Sequence, residues 1–253
     1  MTLTACGSGI VVGGGSGTSD TSTTTGGGGG AAGGGAAAGF SNALSLPGGA
    51  EMRASFTATP YLNTYTVEFF IKPTAVTNSL RVFSFTNNVN ANPIEGHFTA
   101  GGNLVLNYLF TGNGCVTPGL STPTTTVFTS GTKYHVAMTA GASRVKIFVN
   151  GVQEVNDAVA TQTGCTNWAF VRIGASGSGT GVFTGVLDEF RISDILRYTT
   201  GFTPPTTPLT NDANTILLMH WDSATTTIDN TTLSAASIAV MAGVPALIAT
   251  PFP

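Results

Sequence analysis

The dipeptide Asn150-Gly151 lies between two runs of mostly β-branched and apolar residues, 145–149 and 152–155. Asn-Gly is a preferred pair for a tight type I′ turn, because both central residues of that turn need a positive φ. The pattern therefore predicts a β-hairpin. No stretch of the chain repeats apolar residues at the helical period of about 3.6. We therefore expect an all-β chain.

Short runs of β-branched and aromatic residues follow one another from Phe40 onward, separated by Gly, Asn, Pro and Thr. Many short strands divided by turn residues are typical of a sandwich or jelly roll. In 65–71, alternation places Val67, Phe69 and Ile71 on one face and Glu68 on the other. The other candidate strands are 80–86, 97–99, 104–110, 134–139, 145–149, 152–155, 169–173, 182–192 and 216–221.

Charge is scarce in this chain, and this excludes some classes of function. Only 8% of the residues are charged and the formal net charge is −3. Nucleic-acid binding needs a basic surface, so we expect no nucleic-acid partner. No window of about 18 apolar residues occurs, so no transmembrane helix is predicted.

Residues 1–39 form a Gly-rich segment in which Asp20 is the only charged residue. Such a segment loses too much backbone entropy on folding to build a core by itself. It is either a flexible linker or an arm that becomes ordered against neighbouring subunits. Its alanines and its lack of solvating charge favour the arm.

Residues 223–253 form an apolar C-terminal tail, with no charge after Asp229. Gly243 and Pro245 interrupt the tail too often for a membrane helix. An exposed apolar tail on a monomer would promote aggregation. We therefore expect the tail to fold back as an edge strand of its own sandwich or to dock into a neighbouring subunit.

Five blocks in a fixed order resemble a known family: YTVEFFIKP at 65–73, YHVAMT at 134–139, VKIFVNG at 145–151, Ile173-Gly174, and GVLDEFRIS at 185–193. They are similar to the laminin-G-like, concanavalin-A-like lectin/glucanase jelly-roll domains. The resemblance covers residues 40–222 and implies a two-sheet antiparallel jelly-roll sandwich. The blocks are mostly structural and imply no particular chemistry.

Residues 197–205 and the strand ILLMHWD at 216–222 resemble the end of such modules in bacteriophage virion proteins and bacterial surface proteins. About 30 residues remain after Asp222, too few for a second sandwich. We therefore expect one domain at 40–222, flanked by the arm at 1–39 and the tail at 223–253.

Catalytic chemistry is not expected, although glycoside hydrolases share this fold. The carboxylate motif Glu-x-Asp-x-x-Glu is absent, and Asp188-Glu189 are neighbours whose side chains should point to opposite faces of a strand. The three histidines, His97, His135 and His220, have no metal-ligand spacing. We therefore assign no catalytic residue and no metal ligand.

Glycan binding and calcium binding are the ligand chemistries that the resemblance implies for rim loops. Tyr108, Phe110, Asn113 and Trp168 could supply aromatic platforms and hydrogen bonds, with core packing as the alternative. Calcium binding remains an open alternative, and it would require six or more oxygen ligands. The loop asparagines Asn87, Asn88, Asn90 and Asn92 bring no carboxylate, and Asp157, Asp212 and Asp222 are isolated in the sequence.

The three cysteines allow two interpretations. Cys115 and Cys165 both follow loop glycines and could form a disulfide, which would fit an extracellular or virion setting. Two free thiols are the alternative. Leu3-Thr4-Ala5-Cys6 matches the bacterial lipobox, in which the cysteine is acylated, but the charged and apolar leader of a signal peptide does not precede it.

Two functional hypotheses remain. The first is a non-enzymatic structural or adhesion component of a bacteriophage virion, such as a capsid decoration or a tail or fibre protein. It would contact other subunits through the arm and the tail, and cell-surface glycans through the sandwich, in an oligomeric assembly. The second is a surface lipoprotein anchored at Cys6, with a domain that binds glycan or protein. The absent carboxylate motif argues against a polysaccharide-cleaving enzyme on the same fold.

Overall fold

The computed structural model describes residues 40–56, 64–86, 94–108, 110–112, 115–117, 119–141, 143–158, 168–229 and 237–253. These residues contain sixteen strands and no helix. A helix that could cross a membrane is therefore absent from the described residues. The strands are β1 Asn42–Leu46, β2 Glu51–Ser55, β3 Tyr65–Pro73, β4 Arg81–Thr86, β5 Ile94–Phe98, β6 Leu104–Tyr108, β7 Phe110–Gly112, β8 Cys115–Thr117, β9 Tyr134–Ala140, β10 Arg144–Val149, β11 Val152–Ala158, β12 Phe170–Ile173, β13 Gly185–Ser193, β14 Thr215–Met219, β15 Ser237–Ala242 and β16 Ala246–Ala249.

Two large sheets form a sandwich, and neighbouring strands within each sheet run antiparallel. The eight-stranded sheet has the order β11-β10-β9-β3-β13-β1-β16, with β14 also paired to β13. The six-stranded sheet has the order β15-β2-β12-β4-β5-β6, and β7 and β8 form a separate hairpin. This architecture confirms the predicted all-β, two-sheet antiparallel sandwich.

The core lies between the two sheets and follows the alternation of the strands. Val67, Phe69 and Ile71 of β3 are buried in it, as the alternation predicts. The ring of Phe69 lies 6.0 Å from Phe83 of the opposite sheet and 5.9 Å from Phe190 of β13. Large apolar side chains of this kind supply most of the favourable free energy of such a sandwich.

The hairpin predicted from Asn150-Gly151 connects β10 and β11, with Val149 opposite Val152. Both turn residues have positive φ, 50° for Asn150 and 78° for Gly151. A Cβ on Gly151 would lie 1.8 Å from the backbone oxygen of Phe202, so a larger side chain has no space there.

The C-terminal tail folds back onto its own sandwich. Strand β15 pairs with β2 at the edge of the six-stranded sheet, and β16 pairs with β1 at the edge of the eight-stranded sheet. The tail therefore provides one edge strand to each sheet, which is one of the two arrangements expected from its composition.

The segment 194–214 covers part of the outer face of the eight-stranded sheet. In it, Tyr198 and Phe202 stack with ring centroids 3.7 Å apart, and Phe202 packs 5.6 Å from Phe148 of β10. Under this cover, the fully buried Glu68 accepts hydrogen bonds from Arg191 Nε at 2.8 Å and from the Tyr198 hydroxyl at 2.7 Å. Burial alone would raise the pKa of Glu68, but His135, Arg191 and Tyr198 together hold it below its ordinary value.

Candidate functional site

A line of polar side chains crosses the outer face of the six-stranded sheet, and we call it the polar row. Strand pairing places its members directly opposite one another on five successive strands: Arg53, Arg172, Ser84, Glu95 and Asn107. Because directly opposite residues share a face, the row is continuous. At a strand spacing of about 4.8 Å it is roughly 19 Å long. Phe83 and Phe85, on either side of Ser84, point into the core instead.

The charges on this face are paired with one another. Arg172 Nη1 donates to Glu51 Oε1 at 2.7 Å, and Arg81 Nε donates to Glu95 Oε2 at 3.2 Å. The guanidinium of Arg53 lies 4.6 Å from the centre of the Phe170 ring, which fixes the cation by cation–π attraction. The face is therefore polar without a strong excess of either charge.

Four buried side-chain atoms on this face have no hydrogen-bond partner: Glu51 Oε2, Arg172 Nε, His97 Nδ1 and Asn107 Oδ1. A buried polar atom without a partner is unfavourable, and each such atom requires an explanation. Burial, together with the charge of Arg81, lowers the pKa of His97 to about 4. His97 is therefore neutral at pH 7 and can donate one hydrogen bond and accept another.

The loop 174–181 lies over the middle of the polar row. A Cβ on Gly177 would lie 3.2 Å from Cβ of Thr86, and one on Gly179 would lie 3.0 Å from Arg172 Nη1, so glycine permits this close approach. The hydroxyls of Ser176, Ser178 and Thr180 lie within 2.9 to 3.2 Å of one another. Ser178 and Thr180 are exposed, so the loop presents hydroxyl groups at the centre of this face.

Of the predicted rim residues, Trp168 lies in the core. It is 7% exposed, its ring stacks 4.5 Å from Phe85, and Tyr65 meets its edge at 5.3 Å. In this position the ring offers no open platform to a glycan, in line with the core-packing alternative. Tyr108 ends β6 directly after Asn107 of the polar row and Phe110 begins β7, whereas Asn113 lies outside the described residues.

The predicted disulfide and calcium sites fall largely outside the described residues. Cys115 begins β8, but Cys6, Cys165 and the asparagine loop at 87–92 are not described. Among the described residues, no group of three or more His, Cys, Asp or Glu side chains could hold a metal ion. The three candidate aspartates have other partners: Asp157 accepts from Thr122, Asp212 from Arg197, and Asp222 from Ser41.

The prediction that Asp188 and Glu189 point to opposite faces is wrong, because a bulge interrupts β13 at this point. The register with β3 shifts between Asp188 and Arg191, and Glu189 has a φ of 53°. Leu187 and Phe190 both point into the core although they are three residues apart. The two carboxyl groups lie between them and turn away from the core.

Both carboxyl groups are hydrogen-bonded within the fold. Asp188 Oδ2 accepts from the Thr250 hydroxyl at 2.8 Å. Glu189 Oε2 accepts from the backbone N–H of Leu209 at 2.6 Å, and its Oε1 lies 2.7 Å from Nδ1 of His220. Burial raises the pKa of Asp188 to about 8, and the neighbouring Glu189 adds to the shift. Burial would lower the pKa of His220, but Glu189 raises it overall.

The two-sheet jelly roll gives the class of fold. The family of the protein follows from a match of its sequence. Residues 47–198, more than half of the chain, match the family described as the concanavalin A-like lectin/glucanases superfamily. The protein belongs to this superfamily, as the five blocks indicated.

Two solved structures illustrate the shared fold. A candidate carbohydrate binding protein from Bacteroides ovatus has a TM-score of 0.60 and 14% identity, over 85% of this chain and 62% of its own. The heptameric SAP-like pentraxin from Limulus polyphemus has a TM-score of 0.51 and 17% identity, over 79% of this chain and 95% of its own. The chain thus spans about three fifths of the Bacteroides protein, and identities this low show the fold alone. No curated protein matches the chain.

Proposed function

We propose that this protein is a non-enzymatic binding module that takes a neutral glycan on the polar row. The observation that carries the proposal is the set of buried, unpartnered atoms on that face. Glu51 Oε2 and Asn107 Oδ1 can accept hydrogen bonds, and Arg172 Nε can donate one. A sugar hydroxyl both donates and accepts, so one type of ligand group satisfies all three atoms.

Three further observations support a neutral, hydroxyl-rich ligand. The charges of Arg172 and Arg81 are already paired with Glu51 and Glu95, so the face has little attraction for an ion. The exposed hydroxyls of Ser178 and Thr180 extend the hydrogen-bonding surface. The Bacteroides ovatus protein of the same fold is described as a candidate carbohydrate binding protein.

The test is a screen of neutral oligosaccharides followed by calorimetric titration of the best one. We expect Asn107→Ala and Arg53→Gln each to weaken binding about five- to tenfold, the effect of one lost hydrogen bond of about 1 kcal/mol. Lys133→Gln, directly before β9 of the other sheet, is the matched control and should bind as the unmodified protein does. If no glycan binds, or if both variants bind normally while folded, the proposal fails.

We further propose that binding does not depend on calcium. The carboxylates of Glu51 and Glu95 on this face are paired with arginines, which leaves little affinity for a cation. The same titration, repeated with added calcium and with a chelator, should give equal affinities. A loss of affinity in the chelator would assign a calcium site to the glycan face.

The biological setting that we propose is a bacteriophage virion, with the module as a structural or adhesion component of the capsid, tail or fibre. Two edge strands without charge, β15 and β16, fit contact with other subunits. Val244 between them is 78% exposed, and Val240 and Met241 are also exposed. Mass spectrometry of purified virions should find the protein at fixed stoichiometry with other subunits. Its presence only in host membranes would contradict this setting.

The alternative proposal is a lipoprotein of the bacterial outer surface, anchored at Cys6. The lipobox pattern at residues 3–6 is the observation that favours it. The intact mass of the protein from its native source distinguishes the two. A mature chain that begins at an acylated Cys6 supports the lipoprotein, whereas an unlipidated chain that retains residues 1–5 supports the virion component.

A further inference from the structure

A cavity of about 480 Å³ lies on the outer face of the eight-stranded sheet, on the opposite side of the sandwich from the polar row. We call it the C-terminal cavity. Phe70 of β3 and His135 of β9 lie in the sheet beneath it, the segment 203–206 forms one wall, and Phe252 and Pro253 form another. Its volume falls in the range of small-molecule sites, roughly 300 to 1,000 Å³.

The walls of the C-terminal cavity are mainly apolar. The rings of Phe70 and Phe252 lie 5.5 Å apart, and Pro204 and Pro205 contribute from the covering segment. Packing already holds these rings and prolines in place, so the protein loses little side-chain entropy when it binds an apolar ligand here. The cavity therefore suits the hydrocarbon part of a ligand.

His135, at the base of the cavity, lies against Glu68, but its ring nitrogens make no hydrogen bond. Its side chain is 1% exposed. Nε2 lies 3.7 Å from Glu68 Oε2, too far for a hydrogen bond, and the ring is held edge-on by Phe70 at 4.8 Å and Phe202 at 5.6 Å. A buried histidine with both nitrogens unbonded is costly, and a polar ligand group in the adjoining cavity would relieve that cost.

Lys133 is the charged side chain among the residues that line the cavity. Lys133 is exposed at its rim, and no Asp or Glu side chain is among the residues that line it. Glu68, behind His135, is already neutralised by Arg191 at 2.6 Å. A ligand carboxylate near Lys133 would therefore gain Coulomb attraction from the lysine.

From these contacts we propose that the C-terminal cavity binds a small amphipathic carboxylate. The apolar body lies against the packed rings of Phe70 and Phe252 and against Pro204 and Pro205, and the carboxylate contacts Lys133 and His135. No covalent step is involved. The site is independent of the polar row, so it can be tested whether or not the protein binds glycans.

The experiment is calorimetric titration of the full chain with octanoate and with octanamide, a neutral molecule of nearly the same shape. We expect saturable 1:1 binding of octanoate, about tenfold tighter than octanamide. In Lys133→Gln this preference should fall to about twofold or less, because the charge contact is worth on the order of 1 kcal/mol. His135→Phe should weaken octanoate at least fivefold, with folding verified by near-ultraviolet circular dichroism.

Arg53→Gln, on the polar row, is the control and should bind octanoate normally. If octanoate does not bind saturably, if it binds no better than octanamide, or if both cavity variants bind it as the unmodified protein does, the proposal is overturned. Because Lys133 is exposed, its variant remains informative even if His135→Phe does not fold.

Discussion

At the scale of the residue, Asp188 illustrates how burial in the fold changes the protonation of a side chain. Asp188 pairs with Phe70 directly before the bulge in β13, and its buried carboxyl group accepts a hydrogen bond from the Thr250 hydroxyl. Its raised pKa means that the folded protein holds a proton that the unfolded chain releases. The free energy of unfolding contributed by this group is therefore largest below about pH 4 and decreases as pH rises towards about 8.

We predict that Asp188→Asn reduces the loss of stability at alkaline pH. The amide oxygen keeps the acceptor for the N–H of Glu189. The amide nitrogen replaces Oδ2, so it donates to the Thr250 oxygen where Oδ2 accepts from that hydroxyl, and the amide cannot ionise. At pH 9 the variant should exceed the unmodified protein in free energy of unfolding by on the order of 2 kcal/mol, with little difference at pH 4. Urea unfolding across this pH range is the measurement. An identical pH dependence in both proteins would show that Asp188 is ionised when folded.

Gly151 makes a second prediction at the residue scale. Its φ is 78°, and a Cβ would collide with the backbone of Phe202. Gly151→Ala should therefore lower the free energy of unfolding by about 2 to 4 kcal/mol. The cost of a positive φ at a non-glycine residue adds to the cost of displacing the covering segment 194–214. Gly131, also at positive φ but with open space around it, is the matched control, and its alanine variant should lose only about 1 kcal/mol. Thermal unfolding measures both variants, and equal losses would contradict the role given to Phe202.

At the scale of the element, the segment 194–214 is attached to the sheet by the buried carboxylate of Glu68. Removing one member of a buried ion pair leaves the other charge uncompensated. Glu68→Gln should therefore cost about 3 to 5 kcal/mol in urea unfolding, mostly because Arg191 loses its partner. Glu154→Gln, at a half-buried carboxylate bonded to Thr126, should cost about 1 kcal/mol or less. Similar costs for the two variants would contradict the structural role of Glu68.

The tail strands are the second case at this scale. Removing residues 230–253 deletes β15 and β16 and leaves β1 and β2 as open edges of the two sheets. Open edges pair with other chains, so the shortened protein should unfold at lower temperature and associate with rising concentration. Light scattering after size exclusion measures the association. Val244→Asp, a change at an exposed turn between the strands, should keep the stability of the full chain. A shortened chain that stays monomeric and equally stable would show that the tail is dispensable.

At the scale of the whole molecule, the sandwich separates two proposed sites by its core. The polar row lies outside the six-stranded sheet and the C-terminal cavity outside the eight-stranded one, with tightly packed rings between them. We predict that the sites act independently: saturation with octanoate should change the glycan affinity less than about twofold, since rigid cores transmit little without a second stable arrangement. Titration of glycan with and without octanoate measures this. A larger change would mean that the two sheets are coupled.

Patterns among residues that are close together in the sequence made much of the fold predictable. The alternation of β3 separated Val67 and Phe69 from Glu68, and the Asn150-Gly151 turn placed β10 beside β11. Both features depend only on neighbouring residues, through the period of a strand and the φ that a turn demands. The candidate site was harder to predict from the sequence, because no local pattern marks Arg53, Arg172 and Asn107 as neighbours. A polar residue at an alternate position of each strand was the available signal, and it is a weak one.

By itself, the sequence determined the class of this protein, the faces of its strands, its central hairpin and its charge-poor ends, because each of these is a property of residues close together in the chain. Only the tertiary structure decided that Trp168 is buried, that Asp188 and Glu189 turn to the same side, and that the polar row is continuous. These features depend on register between distant strands. A shift of one residue would turn every side chain of a strand to the opposite face, and no single segment contains the information that prevents it.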